Sequence, residues 1–241
     1  MKSMSGFGGG VASLSMKSAA SGEQYSGLIS NGLEVLLDAG NSSSYSGSGS
    51  TITNIAPSGT PFGNATIKQG TYTANTQGAA GFQNLKAYID IGSTITYPTF
   101  TYNCWVNFQG GSSYNTIIDQ GDDNWFFGVD QNDLITYDPT IRTQRELKIA
   151  KWYNVCVAHT QGGKTRFYVN GVLVFESPTN SSRTPSFTRW SLGGGGVSSS
   201  SDGNEGFIGY ISLISIYDRE LSAAEIKTNF DALASRYDYA S

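Results

Sequence analysis

His159 is the only histidine in the chain, so a serine or cysteine nucleophile would have this single candidate base. A lone histidine at a strand end usually serves the fold, and no catalytic activity is expected from it. Two groups of oxygen donors suggest calcium. One is Asp119, Asp122 and Asp123, followed by Asp130 and Asp133; the other is Asp202, Asn204 and Glu205. Calcium takes about six to eight oxygens, and such turns supply some of them. Asp and Asn also make turns without any metal, so no cofactor is assigned. A third chemistry is sugar binding, which needs an exposed aromatic platform beside polar side chains. Trp105 flanked by Asn103 and Asn107 fits that pattern, as does Trp125 next to Asp122 and Asp123. The competing reading of Trp105 is a core residue, because tryptophan buries a large area.

These residues sit on short strands. Phe100 to Phe108 places Phe100, Tyr102, Cys104, Val106 and Phe108 on one face, with Thr101, Asn103, Trp105 and Asn107 on the other. Thr116 to Asp119, Trp125 to Val129 and Leu134 to Tyr137 read as an antiparallel meander. Lys151 to Thr160 is a strand. Asn170-Gly171 between Thr165 to Val169 and Val172 to Phe175 signals a type I′ hairpin, because that turn needs two positive φ angles. Val169 is expected to pair with Val172 and Phe167 with Val174. Tyr168 and Leu173 share the opposite face, so both faces are apolar and the hairpin is expected to be central. Phe207 to Tyr217 is the longest expected strand. Ser222-x-x-Glu225 is a capping box that opens a helix over about 222–237. Ile226, Phe230, Leu233 and Tyr237 form the stripe expected to dock it.

The whole chain has 241 residues, 30 Gly, 14% charged residues and 12% aromatics. About a dozen strands, one helix and no βαβ alternation predict an all-β, two-sheet antiparallel sandwich. Fifteen Lys and Arg against 19 Asp and Glu give a net charge of −4, which offers no field for nucleic acid. No apolar run reaches the roughly 18 residues of a membrane span. Residues 1–30 read as a flexible Gly/Ser-rich arm. Gly8, Gly9, Gly10, Ser13 and Ser15 break every candidate signal segment. Cys104 and Cys156 are read as two buried thiols, with one disulfide as the alternative. The sequons at Asn41, Asn64 and Asn180 are read as chance.

The stretch Phe207-x-Gly209-x-Ile211-x-x-Ile214-x-Ile216-Tyr217-x-Arg219-x-Leu221-Ser222-x-x-Glu225-Ile226 resembles the closing segment of laminin-G-like, concanavalin-A-like jelly-roll domains. Phe100-Thr101 with Trp105-Val106 resembles their early core strand. Trp152-Tyr153-Asn154-Val155 and Phe167-Tyr168-Val169-Asn170-Gly171 resemble their hairpin. Gly32 to Asn41 resembles a common opening, which puts the domain at 31–241 behind the arm. The resemblance implies a jelly roll and leaves the function open, because this fold hosts many functions.

Family members often carry an acidic residue where Ser212 stands. The pentraxin branch bridges two strands by a disulfide; Cys156 matches one position, but Asn103 occupies the other, one residue before Cys104. The fold's glucanases use a Glu-x-Asp-x-x-Glu run, and no Glu here is followed two residues later by Asp. The expected function is therefore non-enzymatic. The closing segment resembles jelly rolls of tailed-phage particles. This suggests a virion structural or decoration protein, assembled in the host cytoplasm and anchored to particle proteins or its own copies through residues 1–30. The alternative is a lectin-like module for surface glycans.

Overall fold

The computed structural model describes residues 25–57, 62–76, 79–110, 115–119, 126–130, 133–136, 141–181, 186–194 and 206–240. Residues 1–24, most of the expected arm, lie outside this set. Fourteen strands are described: β1 (Leu33–Asp38), β2 (Thr51–Ile52), β3 (Ala65–Thr76), β4 (Ala79–Thr96), β5 (Thr99–Phe108), β6 (Asn115–Asp119) and β7 (Phe126–Asp130), then β8 (Asp133–Thr136), β9 (Arg142–Glu146), β10 (Lys151–Thr160), β11 (Thr165–Val169), β12 (Val172–Glu176), β13 (Ser186–Leu192) and β14 (Gly209–Tyr217). Helix α1 (Ala223–Leu233) and a short 3-10 turn close the chain.

The pairings between the named strands are all antiparallel, in the order β12-β11-β10-β5-β14-β4-β13-β6-β7-β8-β9, with β1 on β14, β3 on β4 and β2 on β3. Strand β14 makes the corner. Its start, Tyr210 and Ile211, pairs with β4, and Leu213 to Tyr217 pair with β1. The register on β5 shifts between Ile211 and Leu213, the kind of irregularity that lets one strand serve two layers. The curled sheet closes over its own apolar face. Phe127 of β7 meets Phe167 of β11 at 6.2 Å, and Trp190 Nε1 of β13 donates to the Tyr102 hydroxyl of β5 at 3.2 Å. This is the expected jelly-roll sandwich.

The alternation in β5 decides what faces where. Phe100, Tyr102, Cys104, Val106 and Phe108 fill the core between the layers. The other face of β5, β10 and β14 carries Trp105, Trp152, Cys156, Leu213 and Tyr217. These form a second apolar cluster with Ile226, Phe230, Leu233 and Tyr237 from α1 and the residues after it. The helix docks through the stripe expected from the sequence. Cys104 and Cys156 fall in different clusters on opposite faces of the sheet, both buried and unbonded. Burial pushes both thiols up in pKa.

Two expectations need correction. Phe167 lies opposite Phe175, not Val174, because the register slips by one residue after Tyr168 and Leu173. The hairpin turn itself is as expected, with φ of 51° at Asn170 and 75° at Gly171. Second, β12 ends the strand order, and Val172 and Leu173 are 59% and 46% exposed, so the hairpin is not central. Among the described residues, packing includes a segment before residue 31. Tyr25, Leu28 and Ile29 join the helix-side cluster. Asn229 Oδ1 accepts from the Ile29 amide at 2.8 Å, and the Tyr217 hydroxyl donates to the Ile29 carbonyl at 3.0 Å.

The capping box forms as read. The Glu225 amide donates to Ser222 Oγ at 3.3 Å, and the Ser222 amide donates to Glu225 Oε2 at 2.9 Å. Arg219 donates to the same carboxylate at 2.6 and 3.1 Å. Arg219 first, then the Ser222 amide, lowers the Glu225 pKa from 4.5 to about 2. A depressed folded pKa stabilises the fold above the unfolded value and stops doing so as pH falls through the folded one. Thermal stability is therefore expected to fall between pH 4.5 and about 2 by an amount typical of a lost cap, about 1 kcal/mol. Glu225→Gln should flatten that part of the melting-temperature profile. An unchanged profile would show that Glu225 plays no part in it.

Candidate functional site

A groove of about 420 Å³ opens where the β11–β12 hairpin meets the start of α1, within the usual range of ligand clefts. Its lining comes from two separated stretches: Arg166, Tyr168 and Leu173 from the hairpin, and Glu220 to Ala223 with Glu225 from the helix entry. Period-two alternation puts Arg166 and Tyr168 on the helix side of β11, while Phe167 and Val169 point into the core between the layers. The cap then fixes the far wall.

Charges in the groove are cross-linked. Arg166 donates through Nε to Glu176 Oε2 at 2.8 Å and through Nη1 to Glu220 Oε1. The Thr160 hydroxyl donates to Glu220 Oε2 at 2.5 Å. Glu225 is held by Arg219, which keeps its carboxyl far too acidic to act as a general acid near neutrality. Tyr168 is 3% exposed, and no hydrogen-bond partner for its hydroxyl exists among the described residues. Burial first, then the nearby Cys156, pushes its phenol up to about 12, so it stays a neutral donor and acceptor at ordinary pH. Leu173, half exposed, adds an apolar wall. The groove thus combines carboxylate acceptors, guanidinium donors, a phenol hydroxyl and an apolar flank. Such a surface suits a polyhydroxylated ring with an apolar face.

The model of the concanavalin A-like lectin/glucanases superfamily matches residues 81–227, more than half the chain. The chain belongs to this superfamily. No curated protein matches it in sequence. Among solved structures, one similar fold is domain 4 of an extracellular arabinanase from Geobacillus stearothermophilus, in complex with arabinotriose. The identity is 15% and the TM-score 0.60, with 85% of this chain and all of that one covered. The sialidase of Trypanosoma rangeli is similar at 14% identity and TM-score 0.60, over 86% of this chain and 34% of its own. A structure of botulinum neurotoxin type C, whose cell entry depends on interaction with two ganglioside molecules, is similar at 16% identity and TM-score 0.57, over 84% and 51%. At these identities the likeness is one of fold.

In this concanavalin A-like domain the expected sugar platform at Trp105 is not at the surface. Trp105 is fully buried and stacks on Tyr237 at 3.9 Å and 6°, with Phe230 at 5.7 Å. Asn103 and Asn107 are buried beside it. All three are buried, so none of them offers an exposed platform in this structure. Trp125, Asp122 and Asp123 lie outside the described residues, as do Asp202, Asn204 and Glu205. Asp119 is buried, and Asp130 is paired with Arg142. Among the described residues no group of three or more His, Cys, Asp or Glu is placed to hold a metal. His159 is buried, stacks on Phe100 and hydrogen-bonds Thr165 Oγ1 at 3.0 Å. Ser212 is hydrogen-bonded to the Tyr237 hydroxyl at 3.0 Å.

The groove residues were not singled out by spacing. The available signal was the second apolar face of the hairpin, Tyr168 with Leu173, which reads as buried on both sides. A groove opens there, where β12 ends the strand order and the helix entry faces the hairpin.

Proposed function

We propose that this domain is a non-catalytic carbohydrate-binding module that takes an oligosaccharide in the groove between the β11–β12 hairpin and the start of α1. The observation that carries this reading is Tyr168. Its ring is buried, while its hydroxyl opens to the groove and has no hydrogen-bond partner among the described residues, so it can donate to or accept from a ligand. A sugar hydroxyl supplies that partner, while Leu173 packs against the ring's C–H face. The superfamily membership supports the reading, and so does the arabinotriose bound by the arabinanase domain.

Titration calorimetry of the full chain against arabino-, xylo- and lacto-oligosaccharides tests it. Tyr168→Phe keeps the ring and removes the hydroxyl, so it should weaken binding about fivefold, the worth of one neutral hydrogen bond, with little change in melting temperature. Leu173→Asp should abolish binding. Unaltered affinity in both variants would move the site elsewhere, and no binding to any saccharide would end the proposal.

A further inference from the structure

We infer that the groove selects neutral saccharides and rejects acidic ones, with Glu220 as the specificity-determining residue; this rests on the glycan-binding reading of the same groove. Two carboxylates, Glu220 and Glu225, line it against one guanidinium, Arg166; beyond the lining, Glu176 pairs with Arg166 and Arg219 with Glu225, so carboxylates outnumber guanidiniums three to two. Both guanidiniums are already engaged. Arg166 spans Glu176 and Glu220. Arg219 gives two bonds to Glu225 and a third, from Nε, to the Asn31 carbonyl at 3.0 Å. A uronate or sialate carboxylate entering here would meet an excess of negative charge and would have to displace an existing ion pair to find a cation. Hydroxyl donors meet no such obstacle. A carboxylate has about four lone-pair positions. Those of Glu220 receive two described bonds, from Arg166 and Thr160, which leaves acceptor capacity facing the groove. The Tyr168 hydroxyl adds a neutral partner of either polarity. The chemistry of the walls therefore favours ligands rich in O–H groups and free of anionic ones.

The test uses matched probes on the full chain: lactose against sialyllactose, and a xylo-oligosaccharide against the same chain bearing one glucuronate. Each acidic partner should bind about tenfold more weakly than its neutral counterpart, and the gap should shrink in high salt. Glu220→Gln keeps an oxygen acceptor for Arg166 and removes one charge, so the neutral-to-acidic ratio should narrow about threefold. Glu176→Gln, on the exposed rim, repeats the test without touching the Thr160 bond. Acidic probes that bind as tightly as neutral ones, or a ratio unmoved in both variants, overturn the selectivity while leaving the glycan reading standing. No binding to either class overturns the glycan reading, and the selectivity with it.

Discussion

Replacing Trp105 by alanine should destabilise the domain by about 3–5 kcal/mol, among the larger effects a single core substitution produces. The indole is fully buried between the outer face of the sheet and the helix side. Its ring lies parallel to Tyr237 at 3.9 Å and faces Phe230 at 5.7 Å, with Tyr239 edge-on at 6.2 Å. Truncation removes the transfer energy of the ring and leaves a cavity that neither a hydrogen-bonded sheet nor a capped helix can readily collapse into. In a urea titration the midpoint should fall with an unchanged slope, and the melting temperature should drop by roughly 10 °C. A sequence-level view of Trp105 as a sugar platform expects the opposite: intact stability and lost glycan affinity. A drop below about 1 kcal/mol would contradict the packing described.

Asp38→Ala should cost a similar amount, about 3–5 kcal/mol, for an electrostatic reason. Asp38 ends β1 with no exposure, and Arg236, just beyond α1, grips it with two bonds of 2.7 Å. The Tyr25 hydroxyl and the Gly40 amide donate to the same carboxylate, each at 2.7 Å. A Cβ on Gly40 would lie 2.6 Å from Arg236 Nη2, so a side chain there would push on the ion pair. Removing the carboxylate leaves a largely buried guanidinium without a counter-charge, and that penalty dominates over the net worth of the pair. Two controls separate the causes. The double replacement Asp38→Leu with Arg236→Met should recover most of the loss, because it leaves no orphaned charge. High salt should do little to the wild type, because a buried pair is weakly screened. If the double variant is as unstable as Asp38→Ala, unpaired charge is not the reason.

Much of this fold was legible in the sequence because local rules suffice for it. Alternation in β5 named the core face, Asn170-Gly171 named its turn, and Ser222 with Glu225 named the helix start. Strand β9 was not legible, since Arg142–Glu146 is charged and lacks alternation. The full span of β4, 18 residues, was hidden by Gly81 and Gly92, which both lie within the strand. The partner of Phe167 depended on a register slip that no pairing rule announces. The face of Asn103, Trp105 and Asn107 looks solvent-directed when β5 is read alone. It is buried because α1, more than 115 residues later, lies across it. The groove was the least legible part. Its two walls, 166–173 and 220–225, meet only through the packing of the helix entry against the hairpin, and edge position is a property of the sheet and not of the strand.

The segment 25–31 has a geometric consequence. Gly27 packs close to Ala232, and Tyr25 reaches the Asp38–Arg236 pair, so this segment is tied down at the tail of α1. The groove lies at the head of the same helix, whose 11 residues span about 16 Å. The chain before Tyr25 therefore departs beside the tail of α1, about one helix length from the groove.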